Sequence, residues 1–431
     1  TTKEMFLIKI LLFTAFCFVN TNALLDKGLN NTCFEIIEDP TYAFYDLDVI
    51  ECNFVTISQI KLTNNGLSFR LKNPNIRTPD YIRLNKTEQK LFNGNTIVHF
   101  VKRVNYRWEI GHTKTLGQYL PGFDGVTLYH NYDRRSAIML YRKGSSYIVE
   151  GNIGGRILRY INGNDLDGDN STYVLALLAL AKEKELKREF DYDTYKQEYY
   201  NLGAENLERV HVKLLPIIDG RILNYGIIDA RTLLRPILSY YNYIDMLFGV
   251  FTSPIISFNI SGIVIPETEP FMPFIDTKKA VPPTIYLIDI LNGLSQLMLK
   301  KKTYFGLSSY DIVILMAGRR LFKDISESHG SVSSKNFYKR AICDATENPS
   351  VIYSVYSDYL HDYLIWFFIS KFATSARIKH ELQHCEGFGE TYIRMNSRRR
   401  TFLPWIDQCV ANMMSHYFKN HDCSYFNNNE F

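Results

Sequence analysis

The hydrophobic period of this chain changes once along its length, and that change narrows the folds open to it more than any other feature. From residue 24 to about 160 the apolar residues come in short runs, FEIIEDP, GLSFRLKN, TIVHFVKRV, SAIMLYRKG and SYIVEGNI, cut by Asn-Gly, Pro and Gly. Short alternating runs bounded by turn residues are strand signals, so this half is expected to be mostly β. After Arg209 the pattern differs. HVKLLPIIDG, IISFNISGIVIPE and YDIVILMAG read as buried strands, and the helix-periodic RTLLRPILSYYNYIDMLFGVF and PTIYLIDILNGLSQLMLKK lie among them. Two further helical stretches follow, DYLHDYLIWFFISKFATSARIKHELQHCEG and IDQCVANMMSHYF. Strands alternating with long helices predict an α/β arrangement for the second half.

Between the halves lies LLALAKEKELKREFDYDTYKQEYYNLGAENLE, from Leu177 to Glu208, charged and with little apolar stripe to bury. It reads as a helical linker, and its Lys187-Arg188 pair is one that a processing protease could use. Just upstream, NGNDLDGDNST alternates Asp165, Asp167 and Asp169, but the glycine sits too early for a calcium loop of the EF-hand type, and the stretch reads as a turn. No internal repeat is visible.

With 431 residues, 46% hydrophobic and 22% charged, the chain is globular rather than disordered. Its net charge of +4 is small, and the basic clusters at Lys300 to Lys302 and Arg398 to Arg400 are not set in any nucleic-acid module, so no nucleic-acid partner is expected. Met5 is followed by FLIKILLFTAFCFVNTNA, a short apolar run interrupted by Lys9, with Thr21 and Ala23 at the positions a signal peptidase reads. Residues 5–23 are therefore expected to be a secretory signal and not a membrane anchor, and residues 1–4 to be translated leader.

Of the seven cysteines, Cys17 falls in the signal. Cys33 and Cys52 form one group, and Cys343, Cys385, Cys409 and Cys423 another. An even count in an exported chain predicts disulfides, here in two separately stapled regions, and an extracellular location. Sequons at Asn30, Asn85, Asn170 and Asn259 are compatible with that route.

The chemistry concentrates in HELQHCEGFGE, residues 380–390. On a helix, His380 and His384 share a face and can present two imidazoles to one Zn2+ ion, with Glu381 beside them. A zinc-bound water has a lowered pKa, and the glutamate is placed to take its proton as general base. Gly387 lies where the helix must end and the chain double back, so a third ligand can come from Glu390.

This spacing resembles the metzincin signature H-E-x-x-H-x-x-G-x-x-(His or Asp), with Met395 in YIRMN available as the methionine of the turn beneath the metal. HVKLLPIIDG, ISFNISGIVIPE and YDIVILMAG come in the order of an adamalysin, or reprolysin, catalytic domain of the arthropod venom or salivary kind, and LYRKGSSYIVEGNIGGRILRYI is similar to the end of the matching propeptide. The resemblance implies a propeptide at 24–170, a linker at 171–207 and an α/β metzincin-like catalytic domain at 208–431, with no disintegrin-like tail after residue 425. It further implies disulfides Cys343 to Cys423 and Cys385 to Cys409, and an exposed edge strand, YDIVILMAG, that pairs with extended substrate.

Three positions depart from the pattern: Glu390 stands for the usual histidine or aspartate, Gln383 for a glycine, and only four residues separate Glu390 from Met395. Two histidines and a glutamate do form catalytic zinc sets, so the chemistry is permitted. His361 and His416 are the alternative third ligands. No cysteine-switch motif is recognisable, and Cys33 and Cys52 fit an N-terminal disulfide better than a latency thiolate. The expectation is a secreted, monomeric zinc metalloendopeptidase acting on proteins or peptides as a venom or salivary toxin. The alternative is a catalytically inactive relative that binds a partner.

Overall fold

A computed structural model describes residues 47–73, 80–88, 91–104, 107–162, 171–180, 209–218, 230–252, 255–267, 310, 312–317, 350–355, 393–396 and 399–402. Its first unit is a closed antiparallel barrel. The strands are β1 (Leu47–Thr63), β2 (Gly66–Lys72), β3 (Asp80–Lys86), β6 (Thr127–Asn131), β7 (Ser136–Lys143), β8 (Ser146–Ile153), β9 (Arg156–Asn162) and β10 (Ser171–Leu180), joined in the order β1-β10-β9-β8-β7-β6-β3-β2. The ring closes through a short β3 to β6 pairing, Asn85 with His130 and Lys86 with Tyr129. Alternation supplies the filling: Leu67, Phe69 and Leu71 on β2 and Ile82 and Leu84 on β3 are buried in one cluster with Ile138, Leu140 and Val149. An eight-stranded barrel is just wide enough for such side chains, so its centre is a core.

The strand β4 (Ile97–Val104) and its antiparallel partner β5 (Arg107–Thr115) leave the barrel altogether. They join a mixed sheet with β11 (Arg209–Ile218), β12 (Ile255–Ile260), β13 (Gly262–Pro266), β14 (Ile312–Ala317) and β15 (Ser350–Val355), ordered β15-β14-β11-β13-β4-β5 with β12 also on β11. β4 runs parallel to β13, Ile97 opposite Gly262 and Val101 opposite Pro266. The sheet is parallel from β15 to β4, with β5 its antiparallel edge. The chain returns to the barrel through helix α1 (Leu116–Tyr119), which starts on a reciprocal capping box. The Gln118 N–H donates to Thr115 Oγ1 at 3.3 Å, and the Thr115 N–H donates to Gln118 Oε1 at 3.0 Å.

Helix α2 (Ala230–Phe248) lies between the two units. It packs on β6, β7 and β8 of the barrel wall and on β12 of the sheet, and every residue from Tyr240 to Phe248 is buried. That double cover explains β7, where all six residues of SAIMLY are buried. Ile138 and Leu140 belong to the barrel core, while Ala137, Met139 and Tyr141 alternate with them and are buried outside it. Each large apolar side chain removed from water stabilises the contact by roughly 2 kcal/mol.

Several expectations change here. The boundary placed at residues 170 and 208 is crossed by the sheet, because β4 and β5 belong to the first half of the chain and pair in the second. The linker does not begin at residue 171, and Leu177 does not begin a helix, because Ser171–Leu180 form β10 between β1 and β9. An apolar run such as VLALLAL carries no period of its own, and pairing on both sides decides it. IISFNISGIVIPE is two strands, broken at Ser261, whose N–H and Oγ both donate to the Leu214 carbonyl at 3.0 and 3.2 Å. YDIVILMAG is not an edge: β14 sits between β11 and β15, so both of its ladders are taken. The helices expected at PTIYLIDILNGLSQLMLKK, in the stretch ending HCEG and at IDQCVANMMSHYF lie outside the described residues.

Gly122 precedes the 3-10 turn Phe123–Gly125 with φ of 88°, and a Cβ there would run into the Arg142 carbonyl of β7. Gly122→Ala should lower the unfolding free energy by about 2 kcal/mol or more, through backbone strain and overpacking. Gly125→Ala, with nothing within 4 Å, should change it little. Denaturant unfolding of the two variants beside wild type checks this.

Candidate functional site

His380, Glu381, His384 and Glu390 lie outside the described residues, as do Gln383, Cys385, Gly387, His361 and His416. Met395 is described, and its backbone is not a turn. It sits on β16 (Ile393–Asn396), opposite Arg400 of β17 (Arg399–Phe402), in an antiparallel pair whose register brings Asn396 against Arg399. Among the described residues there is no group of three or more His, Cys, Asp or Glu side chains that could hold a metal ion. Cys52, on β1, is disulfide-bonded, and Cys33 lies outside the described residues. Of the sequons, Asn85 is exposed on β3 and Asn259 is half-buried on β12, while Asn30 and Asn170 are outside the described residues. No helix among the described residues is long and apolar enough to cross a membrane.

The polar chemistry that is described gathers along α2. Glu150 points out of the barrel from β8 and accepts from the Tyr141 hydroxyl at 2.7 Å and from the Tyr160 N–H at 3.2 Å. The Arg235 guanidinium of α2 lies 5.4 Å from the centre of the Tyr141 ring, near the same carboxylate. Burial pushes the Glu150 carboxyl above the usual carboxylate range, and the Tyr141 hydrogen bond and Arg235 pull the other way. Burial raises the Tyr141 phenol too, and its hydroxyl is the donor of the pair.

Two turns along α2, Asn242 meets the barrel: its Oδ1 lies 2.8 Å from His130 Nε2 on β6. With the amide oxygen as acceptor, the imidazole is the tautomer that donates from Nε2. Desolvation pushes His130 down to about 4, so the ring is neutral in the fold. On the sheet side, Asp245 is fully buried and accepts the Phe258 N–H of β12 at 3.3 Å. Loss of water raises its carboxyl to about 7, the single hydrogen bond only partly offsetting this.

Two other pairs stand apart. His112 on β5 bonds Glu267 at 2.8 Å, its ring stacked on Phe100 at 4.4 Å, which ties the edge hairpin to the end of β13. His211 Nδ1 and Ser257 Oγ face each other at 2.5 Å across the paired strands β11 and β12. The seam carboxylates of Glu150 and Asp245 take their donors from the protein itself. Sequence reasoning did not single out these residues. The signal available was the presence of Asn242 and Asp245 inside the otherwise apolar YYNYIDMLF.

No protein-family model matches the chain, and a search among curated proteins returns no match.

Asp245 and His130 have opposite effects on stability as pH changes. Asp245 binds its proton more tightly folded than unfolded, so its contribution is present below about pH 4 and is lost as pH rises through about 7. His130 binds its proton less tightly folded, so its contribution is present above about 6.5 and is lost as pH falls through about 4. In Asp245→Asn the stability gain over wild type should grow by roughly 1.4 kcal/mol per pH unit between those limits. In His130→Gln the deficit against wild type should shrink below pH 6.5 at a similar rate. Urea midpoints between pH 4 and 8 read both.

Proposed function

We propose that the chain is a secreted zinc-dependent metalloendopeptidase. The observation that carries the proposal is the spacing in HELQHCEGFGE, where two imidazole donors four residues apart bracket a glutamate, and a glycine precedes a further carboxylate. The donor set suits zinc: neutral imidazoles and a carboxylate are ligands it accepts with a position left for water. The parallel strands β11 to β15, with α2 following the first of them, lend support as a frame that a strand-and-helix peptidase domain would use.

In this reading His380, His384 and Glu390 hold the zinc, and Glu381 is the general base. When bound, the metal would supply Lewis acidity and an acidified water. Glu381 would serve as the general base and as the proton donor to the leaving amine. Because β14 is an interior strand, extended substrate would have to pair elsewhere, and β15, β5 and β12 each pair with a single strand of this sheet among the described residues.

The second reading, a secreted relative without turnover that binds a partner, is favoured by Glu390 and Gln383 at positions where the metzincin pattern holds other residues. Zinc content and cleavage of a peptide library separate the two. The purified protein should carry one zinc per chain. Glu381→Ala should retain zinc and lose cleavage by a factor of at least about a hundred, the usual contribution of a positioned base. Glu390→Ala should lose both. Full activity in Glu390→Ala would remove that residue from the ligand set, and a wild-type chain that binds no zinc would remove the enzyme reading.

A further inference from the structure

We infer that the N-terminal barrel and the parallel sheet form one non-covalent assembly, so that cutting the chain between β10 and β11 yields a two-chain complex instead of releasing the N-terminal piece. The barrel half contributes two of the strands of the sheet. β4 adds to β13 by a parallel ladder from Ile97 with Gly262 to Val101 with Pro266, and β5 covers the far side of β4. Neither strand has a partner in the barrel, so β4 would lose its ladder with β13, and the hairpin its place in the sheet, if the halves parted.

The fit at this ladder is close. A Cβ on Gly262 would meet the His99 ring at 3.2 Å, and the Ile260 N–H donates to the Leu91 carbonyl at 2.6 Å. The Glu267 N–H donates to the Val101 carbonyl at 2.9 Å, and the Glu267 side chain bonds His112. A second contact reinforces the first. α2 comes from the C-terminal half, yet its Asn242 and Arg235 meet His130 and Tyr141 of the barrel wall. Separation would put into water the buried face of α2, the outer face of β7 and a desolvated carboxylate, Glu150, together with an open edge of β13. Obligate contacts are the more hydrophobic ones, and the residues covered here on α2 and β7 are mostly apolar.

The sequence provides a place for the cut, since Lys187-Arg188 lies between β10 and β11. What a processing protease would produce there is a two-chain protein whose sheet is completed by the upstream chain. This goes beyond the zinc reading and stands whether or not the chain hydrolyses peptides.

The test uses the full chain with the recognition sequence of a site-specific protease inserted after Arg188, cut to completion as judged by a reducing denaturing gel. Two bands on a non-reducing denaturing gel, with a single peak holding both pieces on native size exclusion, are expected. Amides of residues 97–101 and 262–266 should also exchange with deuterium as slowly in the cut protein as in the intact one, within a factor of about three. The inference is overturned if the N-terminal piece elutes alone without denaturant. It is also overturned if the non-reducing denaturing gel shows one band, since a disulfide would then be the tie, or if those amides lose protection on cutting.

Discussion

The parallel ladder between β4 and β13 is the constraint on which the rest of the described structure depends. It fixes β4 and β5 at one end of the sheet while the strands before and after them remain in the barrel wall, so the barrel cannot turn freely against the sheet. The helix α2 fills the space this leaves. Because it is covered on both sides, its apolar residues occupy the whole circumference in its second half, where a surface helix would carry a single stripe. The outer face of β7 becomes apolar for the same reason. A strand on an ordinary barrel would show water every second residue, and SAIMLY shows none.

The polar groups in that space follow from the same geometry. A helix packed between two layers brings whatever polar side chains it carries into a dry environment, where each must find a partner or cost stability. Asn242 finds His130, Asp245 finds an N–H of β12, and the carboxylate of Glu150 finds a phenol and a main-chain donor. The pKa shifts are consequences of this burial and not signs of catalytic tuning. Perturbed groups mark active sites when they line a cleft, and these are stacked inside a contact. His130 and Asp245 titrate in opposite directions, which leaves the contact comparatively insensitive to pH across the range where each alone would respond.

How far the sequence disclosed this depends on the range of the interaction. β2, β4, β7, β8, β11, β14 and α2 were all visible as local periodicity. β1 was not, although it runs from Leu47 to Thr63, because its register shifts between Val49 and Glu51 and again between Ser58 and Lys61, with Gln59 at φ of 55°. Each shift reverses which residues face the core, so no alternation survives over its length. β10 is not legible because an unbroken apolar run looks the same as strand or helix. The partner of β4 was invisible for a different reason, since a strand carries no mark of which strand it will meet. The zinc site was legible as spacing alone. The α2 seam was not, because Asp245 and Glu150 are ordinary residues until two other elements close over them.

Chain order adds a last consequence. All eight strands of the barrel lie between residues 47 and 180, so the barrel can close before β11 to β15 are in place. Until then β4 and β5 form only a hairpin projecting from it, and the β4 edge that will meet β13 is unpaired. An open edge is a template for wrong pairing with another chain. Pairing it correctly requires residues 262–266, across a long loop whose closure entropy must be overcome before the ladder forms. The natural relief is α2, which precedes β12 and β13 in the chain and binds the barrel wall through β6, β7 and β8. A helix docked there would hold the following strands close to the waiting edge, so the contact that joins barrel and sheet would also shorten the search that builds the sheet.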